Sequence, residues 1–266
     1  MGSILPIGAF DSGVGGLSIL AEVRKLLPAE DLIYLADTDH CPYGTKPVDE
    51  IRQRTLDVTD FLVHLGVKVV VVACNSACEA GLERIRDKYP ELPVIGVEPA
   101  VKPAQHETRN GKIGVLATSL TLNGERFSHL VERYATGIEI FRQPAPGLVE
   151  LVEAGRLATA ETEAVLHQYL DPLLAKGIDT LVLGCTHYPF LLPLIRKICG
   201  PAVTVLDTGA AVARQTLRIL TDKNLLTTGS VPGKDTFYTS GDPVSVRQVI
   251  AKLWRGETIN VMKADF

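Results

Sequence analysis

Short runs of valine, isoleucine and leucine recur along the chain, separated by stretches whose apolar positions fall three and four residues apart. Runs of the first kind read as buried strands, and stretches of the second kind as amphipathic helices. The pattern predicts strands at 4–10, 32–36, 67–73, 93–97, 113–117, 138–142, 179–184 and 203–207, with a late one near 235–239. Helices are expected at 15–27, 48–65, 77–88, 121–134, 158–175, 189–198, 209–221 and 243–254, and a short one after Pro144–Gly147. Continuous apolar strands alternating with helices predict a parallel sheet covered on both faces, hence an α/β fold.

The pattern also repeats. Val69-Val70-Val71-Val72-Ala73-Cys74-Asn75-Ser76 has the form of Thr180-Leu181-Val182-Leu183-Gly184-Cys185-Thr186-His187, with the cysteines 111 residues apart. Ile7-Gly8-Ala9-Phe10-Asp11-Ser12 matches Ile113-Gly114-Val115-Leu116-Ala117-Thr118 at an offset of 106, and the acids Glu98 and Asp207 match at 109. Three strand ends in the same order at nearly the same spacing point to an internal duplication. The expected division is 1–98 plus 208–266 for the first α/β domain, carrying Asp11 and Cys74, and 99–207 for the second, carrying Cys185 and His187. In both copies the thiol stands where a parallel strand ends, the edge at which open α/β sheets place ligands.

Bulk properties narrow the function classes. The 266 residues, 46% hydrophobic and 22% charged, suit an ordinary globular protein of one large or two small domains. A net charge of -4 and a pI near 5.9 offer no electrostatic reason for nucleic acid or an anionic membrane as partner. The segment MGSILPIGAFDSG has neither a basic n-region nor a long apolar h-region, and no uncharged run reaches membrane-spanning length, so a cytoplasmic location is expected. The five cysteines (Cys41, Cys74, Cys78, Cys185 and Cys199) are odd in number and read as reduced thiols. With no Cys-x-x-Cys pair, and only His187 near a cysteine motif, no metal site is expected.

Candidate chemistry gathers at the strand ends. Asp11-Ser12-Gly13-Val14-Gly15-Gly16 follows a strand and opens a helix, a setting for anion binding by free N–H groups. It is not a dinucleotide fingerprint, because position 18 is Ser18, and there is no Gly-Lys-Ser/Thr phosphate loop. A lone cysteine in an apolar strand is ordinarily core. Cys185, placed after its strand and followed by Thr186 and His187, is a poor core pattern, and the histidine can hold a thiolate or relay a proton. Cys74 has the same frame, with Asn75 and Ser76 able to bind a carboxylate or ammonium. Cys41, Cys78 and Cys199 lack it and read as packing or incidental. Pro42-Tyr43-Gly44 reads as a polar loop that brings a hydroxyl and amides over the site, or as a simple turn. Thr118, Ser119 and Thr121 end a strand of the second copy; Glu150 and Glu153 lie on the short helix and by default face solvent.

Two cysteines facing each other across a substrate suit inversion at carbon, one removing a proton and the other returning one to the opposite face. No lysine is marked for a pyridoxal Schiff base, so a cofactor-free route fits the sequence. Phe10-Asp11-Ser12-Gly13-Val14-Gly15-Gly16-Leu17, Pro42-Tyr43-Gly44, Ala73-Cys74-Asn75-Ser76, Val94-Ile95-Gly96-Val97-Glu98-Pro99, Leu183-Gly184-Cys185-Thr186-His187-Tyr188-Pro189 and Phe237-Tyr238-Thr239-Ser240-Gly241-Asp242 together resemble the glutamate racemase family. The resemblance implies two pseudosymmetric parallel-sheet α/β domains with the site in the cleft, and interconversion of L- and D-glutamate for peptidoglycan. It implies Cys74 and Cys185 as the acid/base thiols, assisted by Asp11 and His187 respectively, with Glu153 as a further assisting residue. Substrate contacts are implied for Asp11, Ser12, Tyr43, Gly44, Asn75, Ser76, Thr186 and His187, with Thr118 and Thr121 as additional ones, and a homodimer is implied as well. The alternatives are a racemase for another amino acid such as aspartate, or a non-catalytic amino-acid-binding protein. Ser76 stands where the family usually has threonine, and Cys78 where a smaller residue without a thiol is usual.

Overall fold

The structure, a computed structural model, describes residues 2–229, 231–254 and 259–266. The chain alternates strand and helix almost throughout. Its first half runs β1 (Ile7–Asp11), α1 (Leu17–Leu26), β2 (Leu32–Ala36), α2 (Val48–His64), β3 (Val69–Val72), α3 (Asn75–Lys88), β4 (Val94–Gly96) and α4 (Val101–Glu107). There follow β5 (Lys112–Ala117), α5 (Ser119–Asn123), α6 (Glu125–Tyr134), β6 (Glu139–Pro144), α7 (Leu148–Glu153), α8 (Ala160–Ala175), β7 (Thr180–Gly184), α9 (Leu192–Cys199) and β8 (Thr204–Leu206). The chain closes with α10 (Gly209–Asp222), β9 (Asp235–Thr239), α11 (Pro243–Leu253) and β10 (Val261–Lys263). Among the described residues no helix is long and apolar enough to cross a membrane.

The strands form two parallel sheets, ordered β10-β9-β2-β1-β3-β4 and β6-β5-β7-β8. The order β2-β1-β3-β4 is that of β6-β5-β7-β8, so the duplication read from sequence is present in the topology. It holds to the residue in the central pairs: Ile7 lies opposite Val69 and Ile113 opposite Thr180. The third match is displaced. Val70 pairs with Val94 and Leu181 with Val205, which sets β4 against β8 two residues out of step with the Glu98/Asp207 alignment. β9 pairs with β2, and β10 with β9, so the C-terminal strands extend the first sheet. The strands β1, β3 and β7 are buried at every position, as strands covered on both faces must be.

Other differences have local causes. The first strand starts at Ile7 rather than residue 4, because Pro6 has no N–H to pair; Ile4 and Leu5 are exposed. The helix expected at 121–134 is two helices, parted at Gly124 (φ -77, ψ 159). A Cβ there would strike the Glu79 carboxylate, whose Oε1 accepts the Arg126 N–H at 3.1 Å. Helix α4 was absent from the sequence reading; its Pro103 lies in the first turn, where proline removes no helical hydrogen bond. The helix expected from 189 opens as a 3-10 turn over Tyr188–Leu191 before α9 begins, with prolines at Pro189 and Pro193.

Candidate active site

In each sheet the strand order changes direction between two neighbouring parallel strands, β1 and β3 in one and β5 and β7 in the other. Their C-terminal ends flank a topological switch point, where such sheets open a crevice. Asp11 ends β1, Cys74 follows β3, Thr118 follows β5 and Cys185 follows β7. The two crevices meet in one cavity. It is lined by Asp11, Ser12, Tyr43, Gly44, Cys74, Asn75, Ser76, Thr118, Cys185, Thr186 and His187, together with Pro42 and Val149. Both sequence-selected thiols therefore face the same space, one from each sheet.

On the Cys74 side, the sulfur caps α3 and accepts the Ala77 N–H at 3.5 Å. The Ser12 hydroxyl stands 3.9 Å from it. Asp11 is fully buried; its Oδ2 accepts the Gly16 N–H at 2.8 Å and the Thr186 hydroxyl at 3.2 Å, linking the two halves. Burial pushes the Asp11 carboxyl above its ordinary value, against the pull of His187. Burial likewise pushes the Cys74 thiol well up, and the neighbouring Asp11 charge and hydrogen bond add to it. Asn75 Nδ2 is buried and, among the described residues, has no hydrogen-bond partner. A buried donor without a partner costs about 1–3 kcal/mol, so an acceptor entering the cavity beside it is favoured.

On the Cys185 side the sulfur lies 3.8 Å from His187 Nδ1. His187 Nε2 is 2.6 Å from Glu153 Oε1, and that same oxygen accepts the Val14 N–H at 2.7 Å. Burial opposes protonation of His187, but contacts with Cys185, Cys41 and Glu153 and the charge of Asp11 overcome it, holding the imidazole well above its ordinary pKa. Two glycines make this approach possible. A Cβ on Gly15 would clash with His187 Nδ1, and one on Gly13 would strike Glu153 Oε1. The glycine-rich turn after β1 thus serves to admit side chains from the other half.

The other sequence-selected residues lie around these two walls. Tyr43 lines the cavity, and its hydroxyl donates to Asp37 Oδ2 at 2.5 Å. Asp37 also accepts from Arg54 at 2.8 and 3.1 Å, and those bonds hold its carboxyl below the usual range despite burial. Thr121 does not line the cavity: it sits behind Thr118, donating its N–H to Thr118 Oγ1 at 3.2 Å. Thr118 in turn meets the Ser76 hydroxyl at 3.1 Å across the two halves. Glu153 is not on the cavity wall but reaches His187, whereas Glu150 and Ser119 line a neighbouring depression. The sequence reading missed Cys41, whose sulfur is 3.9 Å from the Ser12 hydroxyl, and the Asp37–Arg54 pair. Cys78 is packed as expected, its sulfur bonded to Val72 O and the Val97 N–H.

The family model for Asp/Glu/hydantoin racemases matches residues 16–216. A glutamate racemase from Pseudomonas paraeruginosa is 48% identical over 260 residues, covering 98% of this chain and 97% of the relative. The chain belongs to the glutamate racemase family. Solved structures agree with this placement. A glutamate racemase isoform from Bacillus anthracis superposes with a TM-score of 0.89 at 34% identity, covering 98% of this chain and 97% of that one. The glutamate racemase from Francisella tularensis, solved in complex with D-glutamate, gives a TM-score of 0.85 at 30% identity, with 98% of both chains covered. Membership at this coverage extends the family's fold of two parallel-sheet α/β domains to the whole chain.

Proposed function

We propose that the chain interconverts L- and D-glutamate without a cofactor, by a two-base thiol mechanism, and so supplies D-glutamate for peptidoglycan. The observation that carries this reading is the pair Cys74 and Cys185, delivered by equivalent strands of two sheets to one cavity, each with its own proton partner.

Asn75 Nδ2 and the N-terminal amides of α3 are the donors for the substrate α-carboxylate; the helix end favours negative charge there. Those donors matter most as charge moves onto the carboxylate when the α-proton leaves, and the small, buried cavity keeps bulk water from levelling the effect. Cys185 takes the proton from L-glutamate and Cys74 from D-glutamate, and the opposite thiol returns a proton to the other face. Asp11 serves Cys74 and His187 serves Cys185. Burial and the neighbouring Asp11 charge favour the thiol form of Cys74, the sulfur that must deliver a proton when L-glutamate reacts. Thr118 and Ser76 join the two walls, Thr186 ties the second wall to Asp11, and Gly44 brings the 42–44 loop against Thr118. Glu153 orients His187 through Nε2.

We place the domain boundary as the sequence duplication does, at 1–98 plus 208–266 and 99–207. We assign the active form to a cytoplasmic homodimer, as the family resemblance implies; a monomeric sedimentation coefficient at micromolar concentration would reject the dimer.

The decisive experiment is α-proton exchange in heavy water, by NMR, with each enantiomer of glutamate under reductant and without cofactor. Deuterium entering mainly the product enantiomer at early times, from both directions, is the expected result. Absence of exchange by folded protein with free thiols, or faster exchange with aspartate, rejects the assignment.

A further inference from the structure

Cys41, Glu153 and His187 are far apart in sequence and form no recognisable motif, yet their ligating atoms all lie within 4.8 Å of one another. We propose that these three residues form a binding site for one divalent cation of the zinc type. The donor set of sulfur, imidazole nitrogen and carboxylate oxygen suits a borderline-soft ion, and three protein ligands with one open position are the composition of an open tetrahedral site.

The surroundings are built for it. His187 Nδ1 faces Cys185 at 3.8 Å and Asp11 Oδ2 at 3.9 Å, which leaves Nε2 for Glu153 and Cys41. A ligating histidine commonly has a carboxylate behind its other nitrogen, and Asp11 occupies that place. Gly13 keeps the space open, since a Cβ there would press on both Glu153 Oε1 and Cys41 Sγ. His187 is buried, while Cys41 is half-buried and the Glu153 side chain is 20% exposed, so the cluster is reached from solvent on the Cys41 and Glu153 side.

In the metal-free protein Nε2 and Oε1 stand 2.6 Å apart. Binding of one M²⁺ forms M–S, M–N and M–O bonds, and any proton on the Cys41 sulfur or on Nε2 passes to buffer. Tetrahedral coordination needs the Nε2···Oε1 separation to open to about 3.3 Å. Glu153, the last residue of α7 and partly exposed, can supply that movement. Water completes the fourth position. A metal so held ties up the imidazole that serves Cys185, so the ion inhibits; this consequence alone rests on the racemase reading.

The test titrates chelator-treated wild-type protein anaerobically with Co²⁺. Expected is a thiolate-to-cobalt charge-transfer band saturating at one equivalent and abolished by Zn²⁺. Cys41→Ser removes the band and weakens Zn²⁺ by at least about tenfold, while its racemisation in chelator persists. Zn²⁺ inhibits the wild type at concentrations at least about tenfold below those needed for Cys41→Ser. Absence of a saturable band overturns the site, as does a band that survives Cys41→Ser and vanishes in Cys74→Ala or Cys185→Ala. Should Cys41→Ser not fold, alkylation of wild-type cysteines read by peptide mass decides: Zn²⁺ protects Cys41, and an unprotected Cys41 overturns the site. If the band behaves as expected but neither protein racemises glutamate, the proposed function falls and the metal site stands.

Discussion

The two walls of the cavity share a scaffold and differ in their proton chemistry. Cys74 and Cys185 follow equivalent strands in identical register, yet one sulfur stands beside a buried carboxyl and the other beside an imidazole. The duplication reproduced the backbone frame, and the side chains next to it diverged. Asp11 and Ala117 hold equivalent places at the ends of β1 and β5, as do Asn75 and Thr186 after the cysteines. A site that must handle two mirror-image substrates is therefore pseudosymmetric in shape and asymmetric in charge.

The strongest way to break this comparison is to remove either sulfur. Cys74→Ala and Cys185→Ala should each lower racemisation by about 10²–10⁴-fold, the range for a positioned acid or base, with far-ultraviolet circular dichroism unchanged. Loss in only one of the two would show that the walls do not act as a pair.

Replacing the partners sharpens the contrast. Enantiomers have equal free energies, so any variant must lower kcat/KM equally in both directions; the asymmetry is visible only in kcat, KM and isotope effects. Asp11→Asn should lower kcat by about 10²-fold and most for D-glutamate, and His187→Asn most for L-glutamate. The α-deuterium isotope effect should rise in that same direction. Equal effects on kcat in both directions would mean that the partners are not divided between the walls.

Gly15→Ala tests how tightly the walls close on each other. Its Cβ would clash with the His187 ring, so a loss of about 1–3 kcal/mol in urea unfolding is expected, together with reduced activity. Stability close to wild type would mean that His187 has room to move.

The smallest expected effect is on pH dependence. His187 carries a raised pKa in the folded protein, so its contribution to stability is complete below the unfolded value near 6.5 and is lost as pH rises through the folded value. His187→Asn should therefore destabilise the protein more at pH 6 than at alkaline pH, read from thermal melts across that range. A difference that grows with pH would contradict the raised value.

Much of this was legible in the chain. Strands buried on both faces must be continuously apolar, so β1, β3, β5 and β7 were readable, and the thiols fell at their ends because the repeat placed them there. Elements with weaker signals were not: β10 is three residues long, and α4 carries a proline in its first turn. Nothing local marks Gly124 as a break, because the Glu79 carboxylate that occupies its Cβ position comes from a different helix.

The sequence alone determined the α/β class, the duplication and the two cysteines with their neighbours, since these depend on periodicity and on residues adjacent in the chain. Only tertiary structure decided which groups surround the sulfurs. Glu153 reaches His187 from 34 residues away and meets the Val14 N–H from 139 away. Cys41 joins them by way of a loop that the buried Asp37, paired with half-buried Arg54, holds through Tyr43. Burial, likewise, raised Cys74 and Asp11, because removal from water depends on what the whole fold packs around a group and not on its place in the chain.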